Sequence, residues 1–142
     1  MIPLTTLLIV WAMFAQVILV VFVLFKMGAA RLRAVKENAV TKESALHSNL
    51  WPDYALKPAN NYSNQFELPV LFFVGVLLTL HFGLNDWVVV ILSWLFVVSR
   101  WVHMFIHTGS NHVPHRLMAF QVGLFMLVIL WVYVVIRLTV QL

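Results

Sequence analysis

Leu7-Leu-Ile-Val-Trp-Ala-Met-Phe-Ala-Gln16-Val-Ile-Leu-Val-Val-Phe-Val-Leu-Phe25 decides the fold class. These nineteen residues carry no charge, only Gln16 interrupts them, and Lys26 follows at once. About 20 apolar residues are needed to cross the hydrocarbon core of a bilayer. A cleaved signal peptide has basic residues ahead of a shorter apolar core. Nothing basic precedes Leu7, so the stretch reads as a retained first transmembrane helix. The rest of the 142 residues agrees: 63% are hydrophobic and only 10% charged. Mean hydropathy is +0.94. Soluble domains carry about 25% charged residues, so an ordinary soluble enzyme, a coiled coil and a disordered chain are all excluded. The sequence contains no cysteine, which excludes disulfides, thiolate-bound metal and a cysteine nucleophile.

Three further spans follow, at residues 62–82, 87–107 and 113–137, with helix one set at 4–26. Between the first two lies a basic loop, 27–61, whose first part, Met27 to Lys36, can extend helix one beyond the bilayer and in which Pro52 and Pro58 are expected to break any continuous helix. Short turns at Gly83–Asp86 and Thr108–Pro114 make the last three helices antiparallel neighbours. Period-2 alternation is absent, which argues against a β-barrel. The expected architecture is a single all-α domain over 1–142, a bundle of four transmembrane helices. Nine Lys and Arg stand against five Asp and Glu. In a membrane protein this excess sets orientation, and no nucleic-acid partner is expected. Lys26, Arg31, Arg33, Lys36, Lys42 and Lys57 hold the first connection in the cytoplasm and put both termini on the other side. The compact chain points to a bacterial inner membrane.

Polar residues inside the spans need a reason, because each is costly unless partnered. Asn60, Asn64 and Glu67 are spaced by four and three on helix two, and Arg100, His103 and His107 by three and four on helix three. Each set therefore occupies one helical face. Arg116 opens helix four, and Arg31 and Arg33 follow helix one. All approach the cytoplasmic ends of their helices, so a site is expected at that level. Its charge favours an anionic ligand, since arginine grips carboxylates through paired hydrogen bonds and a helix N-terminus adds free N–H groups. A structural reading stands beside this one: Glu67 pairs with Arg100 and holds the bundle together. His103, His107, His112 and His115 also suggest a metal site, against which the neighbouring Arg100 and Arg116 weigh. No metal ligand is assigned.

With these stripes, the chain resembles the MAPEG family, membrane-associated proteins in eicosanoid and glutathione metabolism. The resemblance rests on Lys26-Met-Gly-Ala-Ala-Arg31-Leu-Arg33, on Asn64-Gln-Phe-Glu67-Leu-Pro69, and on Arg100-x-x-His103-x-x-x-His107 followed by Arg116. It implies a homotrimer with glutathione as co-substrate, bound between subunits near the cytoplasmic face. Residue by residue, it implies that Arg31, Asn64, Glu67, Arg100 and His103 bind glutathione. Arg116 then stabilises the thiolate, and His107 serves as a hydrogen-bond partner or base. The family's usual arginine four residues before the Asn is here Asn60. Another, found just before it in some members, is Ser63, and the frequent tyrosine at 107 is histidine. The implied function is a transferase or peroxidase acting on lipophilic electrophiles or lipid hydroperoxides that reach it through the membrane lipid. The alternative is a non-catalytic trimer that binds lipid or a partner protein.

Overall fold

The computed structural model describes residues 1–140. Five α-helices follow one another: α1 (Leu4–Lys36), α2 (Asp53–Ser63), α3 (Leu68–His81), α4 (Trp87–Thr108) and α5 (Val113–Val140). Short 3-10 turns occupy Lys42–Ala45, Ser48–Leu50 and Asn64–Phe66. The last of these joins α2 to α3, and together they make one crossing, Asp53–His81. The described residues thus form four helical segments long and apolar enough to span a membrane, with no strand. This is the all-α, four-span architecture expected from hydropathy.

Helix one passes Lys26 and runs on to Lys36, the extension beyond the bilayer that the sequence allows over residues 27–36. Ala, Leu, Arg and Met in that stretch are strong helix formers, and no proline interrupts them. It ends where Asn38 takes a left-handed conformation (φ 53°) and the Ala39 N–H donates to the Ala34 carbonyl at 3.0 Å. The difference from the sequence reading lies in the supposed loop 27–61, which also contains most of α2. Pro58 sits inside that helix rather than ending it. Ala55, Pro58 and Asn61 form its buried face, so packing outweighs the one backbone donor that proline lacks. The interruption falls instead at Asn64–Phe66, just ahead of Pro69, whose missing N–H and effect on the preceding residue favour a break there.

The far ends are conventionally closed. Gly83 (φ +69°) stops α3, a conformation that costs glycine nothing. Asp86 caps α4, its Oδ1 accepting from the Val88 and Val89 amides at 3.1 and 3.2 Å.

Helix α4 is the most enclosed, with 56% of its span buried against 28% for α1 and for α5. On α1 the fully buried residues are Ile9, Ala12, Gln16, Leu19, Val23 and Ala34. The first five are spaced 3, 4, 3 and 4, the seam of one helix packing along its neighbours. Two apolar clusters result. The larger centres on Phe72 and Phe96, whose rings stack at 4.5 Å, and the smaller on Leu19, Val23 and Met104. Between them on the seam lies a polar contact: Gln16 Nε2 donates to Gln65 Oε1 at 3.1 Å, and Gln65 Nε2 to the Asn61 carbonyl at 3.3 Å.

Candidate functional site

The C-terminal half of α4, the N-terminus of α5 and the end of α2 meet at the basic end of the bundle. They enclose a cavity of about 470 Å³, within the range of small-molecule sites. Asn60, Ser63 and Asn64 line it from one side, His103 and His107 from α4, and Val113, Arg116, Leu117 and Phe120 from α5. One wall is polar and nitrogen-rich; the other is apolar and continues into the exposed side chains of Val113 and Leu117.

The i, i+4 spacing of α4 stacks the His103 and His107 rings, centroids 5.6 Å apart and planes within 15°. Both residues are buried, at 3% and 5% exposure. His103 Nδ1 lies 3.1 Å from the Arg116 carbonyl oxygen. A carbonyl only accepts, so Nδ1 carries the proton and Nε2 presents a lone pair. That Nε2, and Nδ1 of His107, are buried without a partner. Buried polar atoms are almost always satisfied, so two orphans in one cavity wall mark a place where a ligand or water completes the bonding. Arg116 is half-buried and its NH1 donates to Asn111 Oδ1 at 2.8 Å.

Arg100 is nearby but differently employed. It is fully buried, does not reach the cavity wall, and donates from NH2 to the Asn64 carbonyl at 3.0 Å. That carbonyl belongs to the interruption before α3, so Arg100 satisfies backbone that the broken helix exposes. Its Nε and NH1 have no partner. The expected Glu67–Arg100 ion pair is not formed. The described residues contain two ion pairs, Arg33–Glu37 and Arg137–Asp86, and Glu67 is exposed and in neither. Arg31 also lies off the cavity, its guanidinium 5.1 Å from the centre of the Trp51 ring. Of the sequence-predicted residues, Asn64, His103, His107 and Arg116 come together in one chain; Arg31, Glu67 and Arg100 do not join them at the wall. Among the described residues, no three His, Asp or Glu side chains are grouped as a metal ion requires.

A family model described as the MAPEG family matches residues 9–136. The chain belongs to the MAPEG family. No curated protein and no solved structure matches it. Membership supports a glutathione-related role at the membrane in general terms. In this MAPEG chain the cavity offers a guanidinium and the first turn of α5 for an anion, imidazole nitrogens for a proton, and an apolar flank for a greasy group.

Sequence reasoning missed five contributors: Asn111, Gly123, and the apolar wall residues Val113, Leu117 and Phe120. Asn111 carries no charge and lies in a turn. Gly123 lets α5 approach α4: a Cβ there would stand 2.7 Å from Ser99 Oγ and 3.7 Å from Arg100 Cδ. Phe120 lines the cavity from the stretch read only as apolar span. The one available signal was Gly123 itself, a residue unfavourable in a helix unless something must come close.

Proposed function

We propose that the chain is a membrane-bound, glutathione-dependent transferase or peroxidase acting on lipophilic electrophiles or lipid hydroperoxides. The observation that carries this reading is the pair of unpartnered imidazole nitrogens, on His103 and His107, in a cavity wall that also holds Arg116. A thiol entering there meets a fixed positive charge and a proton acceptor, the two things that turn it into a nucleophile. Arg116 and His107 take the catalytic roles. Asn64 and His103 take binding roles at the cavity wall; Arg31 and Glu67, exposed and off the wall, take theirs across a subunit boundary; and Arg100, fully buried, serves binding only by holding the Asn64 backbone in place.

In the transferase reaction the thiolate sulfur attacks an electrophilic carbon. A C–S bond forms as the leaving group departs with its electron pair. In the peroxidase reaction the thiolate attacks the outer oxygen of the hydroperoxide and the O–O bond breaks. The alkoxide takes a proton, and a second glutathione converts the sulfenic acid to disulfide and water. The apolar flank of Val113 and Leu117 suits a substrate arriving from the lipid.

Assembly as a homotrimer, with glutathione between subunits, belongs to the same reading. The exposed Glu67 carboxylate supports it, because a charged group beside a membrane span needs a partner, which the ammonium group of a glutathione held between subunits would supply. The number three comes from the family resemblance. The site faces the cytoplasm if the basic segment obeys the positive-inside rule. A reporter active only in the cytoplasm, fused after Leu142, should then stay silent.

The second reading is a non-catalytic trimer that binds lipid or a partner protein. What favours it is that Asn60 and Ser63 present uncharged groups to the cavity, leaving Arg116 as its one cationic wall residue. Ultraviolet difference absorbance on adding glutathione separates the two readings. A thiolate signal that vanishes in Arg116→Ala supports the enzyme; no signal at physiological glutathione favours the scaffold.

A further inference from the structure

The geometry points to Asn111, in the turn between α4 and α5, as the positioning residue that aims the Arg116 guanidinium into the cavity. The inference rests on the thiolate reading above and adds a residue that reading does not contain.

Arg116 is held at two points. Its backbone carbonyl accepts from His103 Nδ1 at 3.1 Å, which fixes the first turn of α5 against the last turns of α4. Its guanidinium would still be free to swing, because several rotatable bonds separate it from the backbone. The bond from NH1 to Asn111 Oδ1, 2.8 Å, removes that freedom. A neutral amide oxygen orients the cation without cancelling its charge, as a carboxylate would. Arg116 is in neither of the two ion pairs among the described residues, so its charge stays available.

The same residue also ends α4. Asn111 takes a left-handed conformation (φ 52°), and its N–H donates to the Ile106 carbonyl at 2.7 Å. Asparagine and glycine are the residues that enter this region readily. Glycine would satisfy the backbone alone; asparagine does that and supplies an acceptor within reach of residue 116. Asn111 does not line the cavity, so it acts through Arg116 and not on the ligand.

The test uses the full chain in detergent micelles, with glutathione and a generic aromatic electrophile. Wild type, Asn111→Gly, Arg116→Ala and the double variant are compared. Asn111→Gly keeps the left-handed turn, so its melting temperature should stay close to wild type. Below the thiol pKa, its thiolate fraction and kcat should each fall by about 3–10-fold, the scale of one ordinary net hydrogen bond. KM for glutathione should change by less than about 2-fold, because orientation of charge and not binding is lost. In the Arg116→Ala background, Asn111→Gly should change nothing further. Wild-type thiolate fraction and kcat in Asn111→Gly overturn the inference and leave the thiolate reading intact. An equal loss in both backgrounds also overturns it, since Asn111 would then act by another route. Absence of any thiolate signal in wild type overturns the thiolate reading, and this inference falls with it.

Discussion

Arg116 and Glu67 mark two ways a charged side chain can serve a membrane site. Arg116 lies in the cavity wall, tethered at both its carbonyl and its guanidinium. If it stabilises a thiolate, Arg116→Ala should raise the pKa of bound glutathione by about one unit or more, a loss of about 1.4 kcal/mol per unit. The rate near neutral pH should fall about tenfold per unit and recover as pH rises. Arg116→Lys should fall between, keeping charge and losing the fork, and His107→Phe should matter less than Arg116→Ala. A pH–rate profile of the three variants checks this; identity of Arg116→Ala with wild type would sink the thiolate role. Glu67 is exposed and in no ion pair among the described residues. Glu67→Gln should therefore leave unliganded melting nearly unchanged, within about 0.5 kcal/mol as for most surface changes, while glutathione affinity by titration calorimetry falls. Loss of stability without ligand would mean that the carboxylate is paired across subunits. The stacking of His103 on His107 was legible because helical spacing is a fixed rule, and the approach of Arg116 because the short turn brings the start of α5 to the level where α4 ends. The use of Arg100 was not, because it answers a backbone interruption before α3 that no side-chain pattern announces.

The meeting of α4 and α5 is set by how closely their backbones approach at Gly123. A methyl group there would press on Ser99 Oγ, which already donates to the Phe96 carbonyl at 2.6 Å. Gly123→Ala should destabilise by about 1–3 kcal/mol, the usual cost of overpacking. Adding Ser99→Ala should recover most of that loss, as thermal melts of the single and double variants would reveal. No recovery would mean that the clash is relieved elsewhere. The four spans could be read from hydropathy because a bilayer demands long apolar runs. The buried seam of α1 could not. With apolar residues on every side, periodicity carries no contrast, and Gln16 is its one visible mark. Nor could α2, where Pro58 argued for a loop and burial against α1 overruled it. Gln16 also fixes register: sliding α1 by a turn would part its amide from Gln65 Oε1, a bond it makes in the buried core.

Over the whole molecule, the end away from the cavity is fastened by one carboxylate. Asp86 accepts from the Tyr133 hydroxyl and from Arg137 NH1, the latter at 2.7 Å, and caps α4. Burial alone would raise its pKa, but the bonds from Tyr133, the Val89 amide and Arg137 outweigh it and hold the carboxyl below its ordinary range. A depressed folded-state pKa gives stability that is present above the unfolded value and lost as pH falls through the folded one. Melting temperature in detergent should therefore hold from neutral pH down to about pH 5 and drop below about pH 4. Glu37, lowered by its bonds from Tyr54 and Arg33, adds to the same acid limb from the opposite end. Asp86→Asn keeps a cap and cannot titrate, so its acid limb should be shallower; an unchanged limb would assign the loss to other carboxyls. The last consequence comes from α1. Its 33 residues make a rod about 50 Å long, against about 30 Å of hydrocarbon. It has no internal break, so it cannot bend to absorb a change in its surroundings. When the lipid chains shorten or lengthen, the rod must tilt or slide as a whole, and Arg31 and Arg33 at its end rise or sink with it. Turnover measured in bilayers of graded acyl length should thus pass through an optimum, making this helix a gauge of the membrane that holds it.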